Sequence, residues 1–294
     1  MIVYGIQRDH RYTIVPFLQG AGAELEPMIR VVPYDILLPR TNLPRAVYVF
    51  TDLDRLGAAD LASASHLAAA VERHLGAAAV VNDPRTMLTR FPLIEALRAR
   101  GNAFAAYRAD QIDASTPIRF PVFLRRDDGH TGAASDLLPD PAALQAAIAA
   151  EPERQGLFVV EFADTKDPET GVYTKYSAHR VGDRIVPDHV IFSRKWMLRR
   201  SDLVEPEYLD REQAYVDANP HEAEIRAVFD VARIGFGRID YSICPATGAM
   251  RVWEINTNPD LTEAPQPERM ERYLQISAMM VEALRALDAS LSPS

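Results

Sequence analysis

The sequence predicts α/β structure at the N-terminus followed by α+β structure, and three observations carry that prediction. Over roughly residues 1–85, short β-branched and aromatic runs alternate with a long helical pattern, the order of a small parallel α/β layer. From Tyr173 onward, strand patterns arrive as neighbours separated by Gly-containing turns, as antiparallel hairpins do. Helical spacing returns at Glu222–Arg233 and Glu268–Ala289, which gives the hairpins apolar partners.

In chain order, Ile2–Ile6 reads as a first strand and Val47–Phe50 as another, while Gly20–Pro44 is Pro-rich and shows no readable pattern. Ala58–Leu75 is a helix, because Leu61, Ala64, Leu67, Ala68, Val71 and Leu75 recur three and four apart, and Gly76 ends it. His66 and His74 on that helix have no cysteine or carboxylate at ligand spacing and read as surface or packing residues. Ala79–Val81 is a strand, and Thr86–Gly101 a helix with a basic last turn. Phe120–Arg126 is a strand, Pro141–Ala150 a helix, and Leu157–Asp164 a buried strand ending in acids. Tyr173–Pro187 forms a hairpin around Gly182-Asp183, and His189–Arg194 a separate strand. The polar stretch from Arg199 to Asn219 lacks periodicity and reads as a mobile functional segment or lid.

Composition narrows the function. The chain has 294 residues, enough for a large core and two or three subdomains. Hydrophobic and charged fractions of 48% and 25% are those of a soluble globular protein. With 32 basic against 41 acidic residues the net charge is −9, which opposes nucleic acid as a partner but leaves room for a local basic cleft. The single cysteine, Cys244, excludes a disulfide framework or zinc ribbon. The first residues do not read as a signal peptide, and no apolar run reaches the roughly 18 residues that span a membrane, so a cytoplasmic protein without a membrane partner is expected.

The chemistry concentrates near the C-terminus. Gly237-Arg238-Ile239-Asp240-Tyr241 and Arg251-Val252-Trp253-Glu254-Ile255-Asn256 both alternate as strands, with Pro and Gly between them in Cys244–Met250. The alternation sets Arg238, Asp240 and Ser242 on one face of the first strand, and Val252, Glu254 and Asn256 on one face of the second. An antiparallel pairing brings Asp240 close to Glu254 and Asn256. Two carboxylates and an amide oxygen on stiff backbone suit Mg²⁺ that keeps room for phosphate oxygens and water. The plain alternative is a set of outward-facing strand acids. Against it stand the shared face of Glu254 and Asn256, the strand-stopping Asn258-Pro259, and apolar neighbours that imply a buried sheet, where unpaired carboxylates are costly.

The run Gly235-Phe-Gly-Arg-Ile-Asp-Tyr241 followed by Trp253-Glu-Ile-Asn-Thr-Asn-Pro259 resembles the C-terminal pattern of ATP-grasp enzymes. The likeness is nearest to D-alanine–D-alanine ligases, with related patterns in glutathione synthetases and glutamate-adding ligases, and extends from about Asn82 to Pro259. It implies that Asp240, Glu254 and Asn256 hold one or two Mg²⁺ (or Mn²⁺) ions bridging ATP phosphates. It also implies that Arg238 faces the transferred phosphoryl group or the tetrahedral intermediate. Those ligases carry Gly after the Pro, where a backbone N–H serves the oxyanion; Asp260 here keeps the N–H but not the close approach Gly permits.

Upstream, Asn82-Asp-Pro84, a basic residue, and Leu93-Ile-Glu-Ala-Leu-Arg-Ala-Arg-Gly101 resemble the leading helix of these proteins. The family's α-phosphate lysine falls on Arg90; a solvated helix charge is the alternative. Arg125, at a strand end before the loop Asp127–Ala134, takes the place of another family lysine. The loop holds only Gly129 and Gly132, and Asp-Gly is also an ordinary turn. His130 reads as a loop histidine, with a γ-phosphate or substrate contact as the alternative. The resemblance makes Leu157–Asp164 the adenine strand, with Glu161 accepting from the adenine amino group and Phe162 and Ala163 offering backbone contacts. Ordinary core packing is the competing reading. The family's ribose acid falls near Lys175, so Asp164 or Asp167 is left to take the ribose. Lys195 lies where members carry a lysine reaching the β- and γ-phosphates.

The expectation is therefore an ATP-grasp fold with an N-terminal α/β domain over residues 1–85, a central subdomain over 86–160, and a C-terminal subdomain with the metal site over 161–294, ATP lying between the two α+β subdomains. The implied activity is ATP-dependent ligation of a carboxylate to an amine (or thiol) through an acyl phosphate, with Arg238, Arg125 and Lys195 neutralising phosphate charge. Substrates would be small carboxylates and amines, or a peptide. Dimers are common in the family, which leaves a homodimer open. Two rivals stand beside this reading: a kinase on the same fold acting on a small-molecule hydroxyl, and a nucleotide-binding protein without turnover.

Overall fold

The computed structural model describes all residues except 102–103, 114, 128–131, 154, 262–265 and 292–294. His130 and Gly129 of the predicted phosphate loop lie outside the described residues.

The N-terminal layer is a four-stranded parallel sheet. It begins with β1 (Ile2–Ile6), the short α1 (Val15–Gln19), β2 (Ile29–Pro33), α2 (Tyr34–Leu37) and β3 (Val47–Phe50). It ends with α3 (Ala58–Leu75) and β4 (Val80–Val81), and the strand order is β2-β1-β3-β4. The edge strand β2 sits inside the stretch that carries no readable pattern, because Pro33 closes it and exposed Arg30 breaks its apolar run. Burial of Ala64, Leu67, Ala68 and Val71 pins α3 to one face of the sheet, and Gly76 at φ +90° stops the helix where other residues would be strained.

A second sheet follows from α4 (Arg90–Arg98), β5 (Ala106–Arg108), β6 (Val122–Arg126), α5 (Pro141–Ala150) and β7 (Leu157–Glu161), with antiparallel order β5-β7-β6. The predicted helix at Thr86 begins only at Arg90, where Thr89 is extended, because Asp83–Met87 close a turn instead. Helix α5 starts where its sequence says: Asp140 accepts from Ala143 N–H at 2.9 Å, and Pro141 occupies the first helical position.

The third sheet holds β8 (Tyr173–Val181), β9 (Arg184–Ser193), β10 (Phe236–Ile243) and β11 (Met250–Asn256), all antiparallel in the order β11-β10-β8-β9. The strand expected separately at His189–Arg194 is the continuation of β9. Between β9 and β10 lie α6 (Pro206–Ala218) and α7 (Glu222–Ala232), and α8 (Met270–Ala289) ends the chain. The predicted polar lid over 199–219 is mostly α6, which corrects the sequence reading. Its buried positions Tyr208, Glu212, Tyr215 and Val216 do follow helical spacing, but one is a glutamate, which hid the apolar stripe. Glu212 is 1% exposed because Arg272 Nη2 lies 2.8 Å from it and Val190 N–H donates to it at 3.2 Å.

Helices α4 and α7 cover one face of the third sheet through Leu93, Ile225 and Phe229. Helix α8 packs Met280, Val281 and Leu284 into a core shared with Tyr4 of β1 and Val186 of β9, joining the N-terminal layer to the third sheet. Helix α6 packs Tyr208, Tyr215 and Val216 against Val190 and Phe192 of β9, and the candidate site lies where Arg125 of β6 meets Glu254 of β11.

Candidate active site

Asp240 pairs with Glu254 on one side and Ser177 on the other, so a single row crosses β11, β10 and β8. The next row sets Asn256 against Arg238 and Arg238 against His179. Two irregularities flank the first row. On β11 the register jumps from Asp240↔Glu254 to Tyr241↔Val252, leaving Trp253 as the extra residue. The bulge corrects the expected alternation: Val252 turns into the core with Ile239 and Tyr241, while Trp253 and Glu254 both face the cleft. On β9 the partners Tyr176↔Val190 and Ala178↔Pro187 place Asp188 and His189 against the single residue Ser177. Gly237 lets the hairpin close, since a Cβ there would stand 2.8 Å from the carbonyl oxygen of Asn256.

The carboxylates are held by cations from three other elements. Lys175 Nζ lies 2.7 Å from Asp240, whose other oxygen accepts from Ser177 Oγ at 2.8 Å and has Arg238 Nε at 3.5 Å. Glu254 takes Arg90 Nη2 at 2.6 Å from α4 and Arg125 Nη2 at 2.8 Å from β6. Burial alone would raise both carboxyl pKa values. The Lys175 and Arg238 charges outweigh it at Asp240, and Arg125 and Arg90 at Glu254, so both groups titrate below the ordinary carboxylate range.

A cavity of about 390 Å³ opens over this cluster. One part of its lining is aromatic: Trp196 lies 5.3 Å from Phe123 and 5.9 Å from Phe162, ring centre to ring centre. Another part is the charged group Arg125, Lys175, Arg238, Asp240 and Glu254, with Arg199 beside Gly132. Such a cavity offers a flat apolar slot and a cationic bed, the two things a nucleotide needs.

The fold thus brings Arg90, Arg125, Arg238, Asp240 and Glu254 together, and Phe162 and Ala163 line the same cavity. Asn256 sits in the adjacent row, its side-chain oxygen accepting from Asn258 N–H at 2.9 Å. Arg90 and Asn256 adjoin this cluster without lining the cavity, and three further expected residues, Glu161, Asp164 and Lys195, stand apart from it. Glu161 is turned away: Arg119 Nη2, the Arg119 and Ala105 backbone N–H groups and Tyr107 Oη all donate to it at 2.9–3.2 Å. Asp164 accepts from the Lys166 N–H in a local turn. Lys195 is exposed and lines a neighbouring groove with Arg194. In its place Lys175 enters the cluster, together with Ser177. The signal was there: Tyr173, Lys175 and Ser177 alternate along β8, so a polar face is legible once its opposite face is known to be core.

Among the described residues no three of His, Cys, Asp and Glu converge as a metal site. The third donor of the expected set is the Asn256 amide, and the donors nearest one another are two ionised carboxylates on neighbouring strands. An all-oxygen set of this kind fits a hard divalent ion with open positions. The row is anchored to the N-terminal layer through Asn258, whose Oδ1 accepts from Tyr4 Oη at 3.0 Å and Thr13 Oγ1 at 2.9 Å, and whose Nδ2 donates to Asp52 at 3.0 Å.

No family model matches the sequence, and no curated protein does. Solved structures do match in shape. D-alanine–D-alanine ligase from Bacillus anthracis complexed with ATP superimposes with a TM-score of 0.54 over 97% of each chain at 14% identity. Another structure of D-alanine–D-alanine ligase from Bacillus anthracis gives 0.50 over 97% of each chain at 12% identity. The chain therefore has the ATP-grasp fold that its C-terminal pattern leads one to expect.

Proposed function

We propose that this ATP-grasp chain is an ATP-dependent ligase that joins a carboxylate to an amine (or thiol) through an acyl phosphate. The observation that carries the reading is the single cavity in which an aromatic slot adjoins a bed of guanidinium and ammonium groups around two paired carboxylates. The adenine would lie against Phe162 and Trp196, with backbone contacts from Phe162 and Ala163. Arg125, Lys175 and Arg238 would take the phosphates, and Arg90 would keep Glu254 ionised and in place. Asp240, Glu254 and Asn256 would hold Mg²⁺, which when bound neutralises phosphate charge and aligns the phosphoryl group for transfer.

In this reading a carboxylate oxygen of the substrate attacks the γ-phosphorus and the bond to ADP breaks. The amine nitrogen then attacks the acyl carbon, phosphate leaves with the bonding pair, and the nitrogen gives up a proton. No protein nucleophile is needed; the protein supplies fixed positive charge where negative charge moves. The test is ADP release dependent on a carboxylic acid, run with hydroxylamine. Hydroxamate formation supports the acyl phosphate. ADP release with a stable phosphorylated product and no hydroxamate would instead make the chain a kinase.

A further inference from the structure

Ser177 is where the β9 bulge meets the row that carries Asp240. Its hydroxyl stands 2.8 Å from Asp240 Oδ1 and also touches His189 Nε2 at 3.2 Å. The flanking pairs are Tyr176↔Val190 and Ala178↔Pro187, so Ser177 has no register partner of its own on β9. A helix supplies what the ladder does not: Tyr215 Oη of α6 donates to the Ser177 carbonyl oxygen at 3.0 Å. Ser177 is fully buried and Tyr215 nearly so, which keeps this carbonyl out of reach of bulk water.

Counting protons extends this contact into a series. A phenol keeps its single proton at neutral pH, and that of Tyr215 is committed to Ser177. The 3.1 Å contact between the two phenols is therefore donated by Tyr241 of β10, whose own proton is then committed. The 2.9 Å contact between Tyr241 Oη and His221 Nδ1 is in turn donated by the imidazole, which places a hydrogen on Nδ1. The bonds run one way, from half-buried His221 at the start of α7 through Tyr241 and Tyr215 to Ser177, and such a series strengthens each of its members. Packing holds the rings in place. Tyr176 lies 5.1 Å from Tyr215 and 5.5 Å from Tyr241, ring centre to ring centre, and His221 meets Tyr241 edge-on at 5.6 Å.

We propose that Tyr215 is a positioning residue for the metal row. It fixes the Ser177 backbone at the bulge, and through the Ser177 hydroxyl it sets the orientation of the Asp240 carboxylate, with Tyr241 and His221 aiming its proton. The inference rests on the reading of Asp240, Glu254 and Asn256 as Mg²⁺ ligands. A regular ladder would hold a strand residue by itself; the bulge removes that support at the one position whose side chain touches Asp240 from β8, apart from Lys175. Helix α6 thus acts on the site from the face of the sheet that Tyr241 occupies, opposite Asp240.

Calorimetry on the full chain gives the ATP affinity with and without Mg²⁺, and the ratio of the two is the readout. Tyr215→Phe keeps the ring and removes the hydroxyl. The ratio should fall about tenfold, the scale on which groups that orient metal ligands act, while affinity for ATP without Mg²⁺ stays unchanged. Ser177→Ala should lower the ratio likewise, and the double variant no further, because both act through one hydroxyl. His221→Phe, at the accessible end of the series, carries the same test should Tyr215→Phe fail to fold. An unchanged ratio in a folded variant, or losses that multiply in the double variant, would overturn this inference alone and leave Tyr215 a packing residue. An unmodified chain that binds ATP equally with and without Mg²⁺ would overturn the metal reading, and this inference with it.

Discussion

Asp240 and Glu254 stand opposite one another on β10 and β11, yet each closes on cations brought from elsewhere in the fold rather than remaining an exposed acid. Lys175 of β8 reaches Asp240, and Glu254 joins Arg90 of α4 to Arg125 of β6. Glu254 thus ties the second and third sheets across the cleft, beside the stacking of Trp253 on Phe104.

Removing that tie should be costly. The Arg90 and Arg125 side chains are 7% and 11% exposed, so Glu254→Ala leaves two buried guanidinium groups without their carboxylate. Loss of one partner from a buried pair costs about 3–5 kcal/mol. Denaturant unfolding should show a loss in that range, and a loss below about 1 kcal/mol would mean the cleft opens to water in solution.

Gly237→Ala tests how tightly the hairpin closes. The added methyl would meet the Asn256 carbonyl oxygen at 2.8 Å and Ile255 Cγ2 at 3.3 Å, so β11 must move. Overpacking of this kind costs typically about 1–3 kcal/mol. The displacement falls on Asn256 and Glu254, so Mg²⁺-dependent ATP affinity should fall more than tenfold, measured by calorimetry. Unchanged affinity would show that hairpin geometry does not set the site.

Asn82 staples the N-terminal layer to the start of β10. Its Nδ2 donates to the Phe50 and Phe236 carbonyls at 3.0 and 2.8 Å, and its Oδ1 accepts from Gly235 and Phe236 N–H at 2.9 and 3.0 Å. It also holds φ +59°, which asparagine tolerates better than most residues. Asn82→Ala leaves these buried groups unpaired at about 1–3 kcal/mol each. A total loss of about 3 kcal/mol or more is expected from equilibrium unfolding, with Asn82→Asp intermediate because it keeps the two acceptor bonds.

Acid should act through Asp188. Its folded pKa is depressed, so its contribution is present above the unfolded value of about 3.9 and is lost as pH falls through the lower folded value. Stability measured between pH 5 and pH 2 should therefore drop less steeply in Asp188→Asn than in the unmodified chain. Equal slopes would mean that His179 and His189 do not hold this carboxylate in the folded protein.

The sequence made several elements legible because β1 and β3 are short continuous apolar runs, α3 repeats its apolar residues three and four apart, and β10 alternates between its two faces. It also exposed Asp240, Glu254 and Arg238, whose spacing on paired strands survives folding. What it hid has physical causes. Helix α6 buries a glutamate that only the distant Arg272 makes tolerable, so its apolar stripe looked broken. The cleft-facing roles of Trp253, Asp188 and His189 depend on bulges, which shift the period of two without marking the sequence. Lys175 entered and Lys195 left the cluster because β8, and not the loop after β9, carries the cation to Asp240.

The most direct test of the central claim is thermal unfolding with ATP, with and without Mg²⁺, on the unmodified chain and on Glu254→Ala. At about a hundred times the dissociation constant, binding stabilises by about 2.7 kcal/mol, a shift of several degrees. A Mg²⁺-dependent rise in Tm is expected, and Glu254→Ala should abolish it relative to the variant's own baseline. No rise with any nucleotide, or an equal rise in the variant, would contradict it.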